Sequence, residues 1–226
     1  MKIDNLTLAF GNKTVLKNVN IEIKQGEFIF FIGLSGSGKT SIIRSLIGDF
    51  APTSGDIILE NGNNLYKTLN DKLLTIYRRN IGVIFQDYKL MESKSVYENV
   101  AFAMEVCGYS DKYIQKKVPE TLEQVKILSK KDKFVSELSG GEKQRVSIAR
   151  ALVHNPNIII GDEPTGNLDP ITAMDVMNIF LDLNKDGKTI IIASHDKNIV
   201  DTIKRRVVVF KDKEVASDKE KGVYEL

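Results

Sequence analysis

An α/β fold is predicted, with a three-layer core on a parallel sheet, a β-rich start and a helical lobe inserted into the core. Three observations predict it. From Ile158 onward, apolar runs of strand length alternate with longer amphipathic stretches: strand 158–162, helix 171–184, strand 189–193, helix 197–203 and strand 206–210. That alternation gives a parallel sheet with crossover helices. A glycine-rich turn at 33–40 stands between the β-run Phe28–Ile32 and the amphipathic stretch Ser41–Ile47. Residues 96–128 carry Val100, Ala103, Met104 and Val106 at helical spacing.

Taken in order, the chain opens with short β-type runs: Lys2–Ala9, Val19–Ile23, Phe28–Ile32 and Asp56–Leu59. Glycines and the turn Pro52-Thr53-Ser54-Gly55 punctuate them. The helical lobe occupies roughly residues 88–137, and 1–87 with 138–226 form the rest of a single domain. A length of 226 residues suits one domain with one core. The composition, 42% hydrophobic and 27% charged, is that of a soluble globular protein. A net charge of +2 lacks the basic excess of a nucleic-acid binder, so no nucleic-acid partner is expected. The longest apolar runs, Phe28–Ile32 and Ile190–Ala193, are too short to span a bilayer. The N-terminus lacks the apolar core of a signal peptide, and the single cysteine, Cys107, fits a reducing compartment. A cytoplasmic protein is expected.

Residues 33–40, Gly-Leu-Ser-Gly-Ser-Gly-Lys-Thr, match the P-loop pattern in full. Backbone N–H groups of Gly33, Leu34, Ser35, Gly36, Ser37 and Gly38 are expected to cradle a nucleotide's phosphates, with Ser41 following at the helix start. Lys39 should reach the β and γ oxygens, and Thr40 should hold Mg²⁺. The apolar strand 158–162 ends in a carboxylate pair. Asp162 is placed to bind the hydration shell of that ion, and Glu163 suits a general base for the water that attacks the γ-phosphate. Residues 138–145, Leu-Ser-Gly-Gly-Glu-Lys-Gln-Arg, form a second glycine turn opening onto a helix. Such a turn favours an anion. With the phosphate cradle already complete, Ser139, Gly140, Gly141 and Glu142 suggest a phosphate shared between two copies of the chain.

The P-loop, Gln86, Leu-Ser-Gly-Gly-Glu at 138–142, the pair 162–163, Asn167-Leu168-Asp169 and His195 occur in that order. Across essentially its whole length the chain resembles an ATP-binding-cassette (ABC) ATPase subunit. The resemblance implies a P-loop NTPase fold: a RecA-like core, an N-terminal antiparallel β-subdomain and an inserted α-helical subdomain. It implies a head-to-tail homodimer on ATP binding, in which each P-loop faces the Ser139 turn of the other copy. It also implies roles. Gln86 resembles the glutamine that contacts Mg²⁺ and the attacking water, His195 the histidine that contacts the γ-phosphate, and Asp169 the aspartate that crosses the dimer interface. Phe10 stands where the family places an adenine-stacking aromatic, with a plain core role as the alternative. His154, before Asn155-Pro156, reads as a helix C-cap, and Cys107 as a packing residue.

Residues 78–91 and 95–102, with Gln86-Asp87-Tyr88 and Val96-Tyr97-Glu98-Asn99-Val100-Ala101-Phe102, most resemble the cell-division branch of the family, the FtsE type. That branch implies an integral membrane partner, an FtsX-like permease, and a site at the cytoplasmic face of the cell membrane. ATP-driven dimerisation is then coupled to control of cell-wall hydrolysis. The alternative is the ATPase of a LolD- or MacB-type lipoprotein-release or export transporter. Tyr88, Leu90 and Met91 are expected either to seat a partner helix or to pack the helical lobe.

Overall fold

Two sheets organise the chain in this computed structural model, which describes residues 1–225. Strands β1 (Lys2–Phe10), β2 (Lys13–Glu22) and β4 (Ser54–Ile58) pair antiparallel in the order β2-β1-β4. The second sheet runs β5-β6-β7-β3-β8-β9. Its strands are β3 (Phe28–Ile32), β5 (Ile81–Phe85), β6 (Ile158–Asp162), β7 (Thr189–Ala193), β8 (Arg206–Lys211) and β9 (Glu214–Lys219). All neighbours in it are parallel except β9, which returns antiparallel on β8.

Alternation along the central strands assigns the two faces of this sheet. Phe28, Phe30 and Ile32 of β3, Ile190 and Ile192 of β7, and Val207 and Val209 of β8 enter one core. Their neighbours Ile29, Phe31, Ile191, Ala193, Val208 and Phe210 enter the other. Both faces are therefore covered, which is why β3 and β7 read as unbroken apolar runs. The first core is closed by α5 (Gly140–Leu152), α6 (Pro170–Lys185) and α7 (Lys197–Ile203). It continues into the inserted helices α3 (Val96–Glu105) and α4 (Asp111–Gln124) through Val100, Met104, Val118 and Leu122. The second core is closed by α1 (Lys39–Leu46) and by the antiparallel sheet, through Ile3, Leu8, Leu16, Ile42 and Ile43. Burying a side chain of this size is worth about 1.5–3 kcal/mol. These two faces thus hold the antiparallel sheet and the inserted helices to one frame.

Three elements go beyond the sequence expectation. Helix α2 (Asp71–Arg79) has no fully buried residue and rests on the second core through the half-buried Leu74 and Tyr77. Strand β9 is a polar edge strand. Strand β5 holds Gly82, which reads as a breaker in sequence but is needed in space: a Cβ there would lie 2.7 Å from the Ala151 carbonyl of α5. Helix α1 also begins two residues earlier than expected, which places Lys39 and Thr40 on its first turn.

Candidate functional site: a row of strand ends

Strand order brings distant motifs side by side. β5, β6, β7 and β3 are consecutive neighbours, and their carboxyl ends release Gln86, Asp162-Glu163, Ser194-His195 and the loop at Gly33 respectively. The carboxyl edge of an open α/β sheet is where such folds bind ligands. A cavity of about 590 Å³ opens there, lined by Gly33–Gly36, Lys39, Thr40, Gln86, Glu163, His195 and Tyr224.

Within it, Lys39 is buried, and its Nζ donates to the carbonyls of Gly33 (2.8 Å) and Leu34 (3.2 Å). The N-terminus of α1 has Gly38 as its cap, no side-chain cap bond and no acidic residue in its first turn. Its backbone donors are left for an anion. Thr40 Oγ1 donates to Asp162 Oδ1 at 3.2 Å. Burial, and beside it the charge of Glu163, raise the Asp162 carboxyl above its ordinary range, while the Thr40 bond and Lys39 pull the other way.

Glu163 holds left-handed backbone, φ 53, a conformation costing about 1–3 kcal/mol for a residue with a side chain. Its surroundings fix it. Its N–H donates to the Ala193 carbonyl at 3.0 Å, and its Oε2 lies 3.2 Å from the His195 N–H and 2.8 Å from His195 Nδ1. Its Oε1 lies 4.0 Å from Lys39 Nζ. Gly161 makes this corner possible, since a Cβ there would come 2.8 Å from Ile192 Cδ1 and 2.9 Å from Pro164 Cγ. The Gln86 amide lies over Gly166, where a Cβ would meet its Nε2 at 2.9 Å. Gln86 Nε2 donates to Asn167 Oδ1, and Asn167 Nδ2 donates to the Gln86 carbonyl (3.3 and 3.1 Å).

The donor chemistry fits Mg²⁺. Thr40, Gln86 and Asp162 supply side-chain oxygens, and among the described residues no cluster of three or more His, Cys, Asp or Glu forms a protein-only metal site. Mg²⁺ is usually held by one or two carboxylates together with substrate phosphates. A cation would also offset the burial that disfavours the ionised Asp162.

The second glycine turn lies elsewhere. Ser139 caps α5, with its Oγ accepting from the Glu142 N–H at 3.4 Å and its N–H donating to Glu142 Oε2 at 2.9 Å. That backbone bond holds the Glu142 carboxyl below its ordinary range. Gly141 lets α5 approach α6, where a Cβ would lie 2.3 Å from Thr172 Cγ2. Ser139, Gly140, Gly141 and Glu142 do not line the cavity. Asp169 caps α6, accepting from the N–H groups of Ile171 and Thr172.

Ser37 and Gly38 complete the loop, and Ser41 lies further along α1; none of the three lines this cavity. Phe10 is 44% exposed and stacks on Phe50 with centroids 4.2 Å apart, so it is not a core residue. His154 does not cap a helix. α5 ends at Leu152 with Val153 as its cap. The His154 ring stacks loosely on Tyr109 and has its Nε2 3.9 Å from Cys107 Sγ. Burial pushes that imidazole toward its neutral form, which a cationic cap cannot use. Leu90 packs against the core, and Asn99 holds both backbone groups of Met91. Tyr224 was not anticipated. It lines the cavity because its N–H is held by Asp201 of α7 at 2.6 Å. Its only signal in the sequence was an aromatic residue within a charged tail, whose last residue, Leu226, lies outside the described residues.

The family model for "ABC transporter" matches residues 16–166. The cell division ATP-binding protein FtsE of Bacillus subtilis (strain 168) is 43% identical over 209 residues, 92% of this chain and 91% of that protein. FtsE of Mycobacterium tuberculosis is 42% identical over 224 residues, 98% of this chain and 96% of that one. A methionine import ATP-binding protein, MetN of Carboxydothermus hydrogenoformans, is 41% identical, over 96% of this chain but 65% of its own. Among solved structures, a dimeric post-hydrolysis state of the ATP-binding cassette MJ0796 bound to ADP and Pi superposes with a TM-score of 0.86. It is 34% identical and covers 99% of both chains. Motif order, site geometry and likeness over nearly the full length agree: the chain belongs to the ABC transporter family and is an ATP-binding cassette that hydrolyses ATP.

Proposed function

We propose that this cassette is the ATPase subunit of a membrane complex of the FtsE type. Two copies close head to tail on ATP, and the motion passes to an FtsX-like membrane partner that regulates cell-wall hydrolysis in cell division. The observation that carries the dimeric reading is the split site. Lys39, Thr40, Gln86, Glu163 and His195 share one cavity, while the Ser139–Glu142 turn stands outside it. A second copy supplying that turn completes the ring of donors, and the MJ0796 cassette, dimeric and bound to ADP and Pi, supports this. The cell-division assignment draws on the FtsE relatives, which match over 91% or more of their own length.

Each residue has a role in this reading. The P-loop N–H groups and Lys39 hold the phosphates, and Phe10 offers its exposed ring to adenine. Thr40, Gln86 and Asp162 would hold Mg²⁺, which when bound neutralises phosphate charge. Glu163 accepts the proton of the attacking water, and His195, hydrogen-bonded to it, steadies the γ-phosphate. Asp169, at the exposed start of α6, crosses to the other copy. Residues 88–137 act as the helical subdomain that meets the membrane partner, which holds the cassette at the cytoplasmic face. A second reading, the ATPase of a transporter, draws on the 41% identity to MetN. A LolD- or MacB-type exporter belongs to the same class.

Glu163→Gln should slow turnover about 10²–10⁴-fold, the span of a lost general base. It should also let an ATP-bound dimer accumulate, measured by sedimentation. Wild-type turnover in this variant would remove Glu163 from its role. Recovery of the same variant from native membranes should bring down a permease with one large outer domain; a substrate permease there would replace the cell-division reading with the transport one.

A further inference from the structure

The short strap Asp87–Lys89, which leads from Gln86 toward the inserted helices, is held in a conformation that its own residues disfavour. Tyr88 and Lys89 are consecutive non-glycine residues, yet both hold left-handed backbone, φ 58 and φ 52. Such backbone persists only where the surroundings over-determine it. Here α5 does so. Ser147 Oγ donates to the Tyr88 carbonyl at 3.2 Å, Arg150 Nη2 donates to the same oxygen at 2.9 Å, and Arg150 Nη1 donates to the Lys89 carbonyl. Burial alone shifts the Arg150 guanidinium, below its ordinary range, with no carboxylate to offset it. A half-buried guanidinium with no salt-bridge partner is held by its hydrogen bonds, and two of its N–H groups donate to the strap. Nearer the start of α5, a Cβ at Gly140 would lie 3.2 Å from Tyr88 Oη, so the strap also meets the helix beside Ser139.

We propose that Arg150 is a positioning residue for hydrolysis. With Ser147 it locks the Tyr88–Lys89 strap, and so fixes where Gln86 stands relative to the N-terminus of α5. One rigid piece then joins the residue at the cavity to the turn offered to the other copy. This rests on the reading of Gln86 as a residue of the hydrolytic site. The phosphate-holding loop belongs to β3 and α1, outside this piece, so nucleotide affinity should not depend on Arg150.

The test is steady-state ATPase of the purified full chain, with titration of a fluorescent ATP analogue and a melting curve for each variant. Arg150→Met should lower kcat about 10- to 100-fold, the effect of misplacing a site group by about 1 Å. Its nucleotide affinity should stay within about threefold of wild type, the signature of an interaction felt in the transition state and not in binding. Arg150→Lys keeps the charge but loses the fork, and should lie nearer Arg150→Met than wild type. Adding Lys89→Gly to Arg150→Met should restore kcat at least about fivefold, because glycine holds left-handed backbone without strain. A purely structural Arg150 gives no such rescue: relief of strain at Lys89 then raises the melting temperature and leaves kcat per folded molecule unchanged. Wild-type kcat in Arg150→Lys, or absence of the glycine rescue, overturns the proposal. Should Arg150→Met fail to fold, Arg150→Lys with and without Lys89→Gly decides it by the same criteria. Gln86→Ala separates the two levels. A wild-type rate there overturns the site reading itself, whereas a slow Gln86→Ala beside a fast Arg150→Lys overturns the strap alone.

Discussion

Two helices of this molecule begin at glycine-flanked turns, and their N-termini are finished in opposite ways. α1 begins after Gly38 with no side-chain cap and no acid in its first turn. α5 begins at Ser139 with a reciprocal capping box, and Glu142 supplies a negative charge of its own. Unfinished donors at the end of a helix dipole favour an anion, whereas a capping box satisfies part of them and leaves fewer free. One helix end is left open toward the cavity, and the other has its Ser139 and Glu142 N–H groups already paired. The P-loop end adds a buried cation, Lys39, whose ammonium rests on the Gly33 and Leu34 carbonyls. At α5 the neighbouring cation, Lys130, is turned to Glu142 at 3.5 Å.

The largest effect should come from breaking the open end. Lys39→Ala removes the buried charge from the cavity and should cost about 3 kcal/mol of nucleotide binding, roughly a hundredfold in affinity. Titration of the purified chain with ATP measures it. An affinity close to wild type would mean that the backbone donors of α1 suffice.

Ser139→Arg should produce the opposite pattern. Hydrolysis should fall about 10²-fold or more, comparable to losing an oxyanion donor. Nucleotide affinity of the single chain should remain, because Ser139 does not line the P-loop cavity. Equal losses in binding and turnover would erase the difference between the two turns.

How legible these two ends were in sequence follows from their physics. The P-loop was readable because its chemistry is local: eight consecutive residues carry the turn, the cation and the hydroxyl. Asp162-Glu163 and His195 were readable because each follows an apolar strand. The contacts that join them were not readable, because they depend on strand order. The 2.8 Å approach of His195 to Glu163 exists only since β6 and β7 are neighbours. Tyr224 reaches the site through Asp201 of α7, which no spacing announces. β5 escaped notice because Gly82 serves helix packing rather than the strand. The left-handed pair Tyr88–Lys89 has no composition signal at all, since neither glycine nor asparagine marks it. Propensity reports what residues prefer, and this strap is imposed from α5.

The smallest expected effect tests the finish of the closed end. The Glu142 carboxyl is held below its ordinary range, first by the Ser139 N–H. A carboxyl depressed in the folded state stabilises the fold above its unfolded pKa, and that contribution is lost as pH falls through the folded value. The part due to Glu142 should therefore be constant near neutral pH and fade on the acid side of the ordinary carboxylate range. Glu142→Gln keeps an oxygen that can accept from Ser139 but removes the charge from the helix end. It should cost about 0.5 kcal/mol at neutral pH, a shift of about 1–2 °C in melting temperature for a chain of this size. The difference between variant and wild type should shrink as the pH is lowered. A difference that stays constant into acid would show that the carboxylate charge does not finish α5. The distinction between the two helix ends would then rest on Lys39 and on the Ser139 hydroxyl cap.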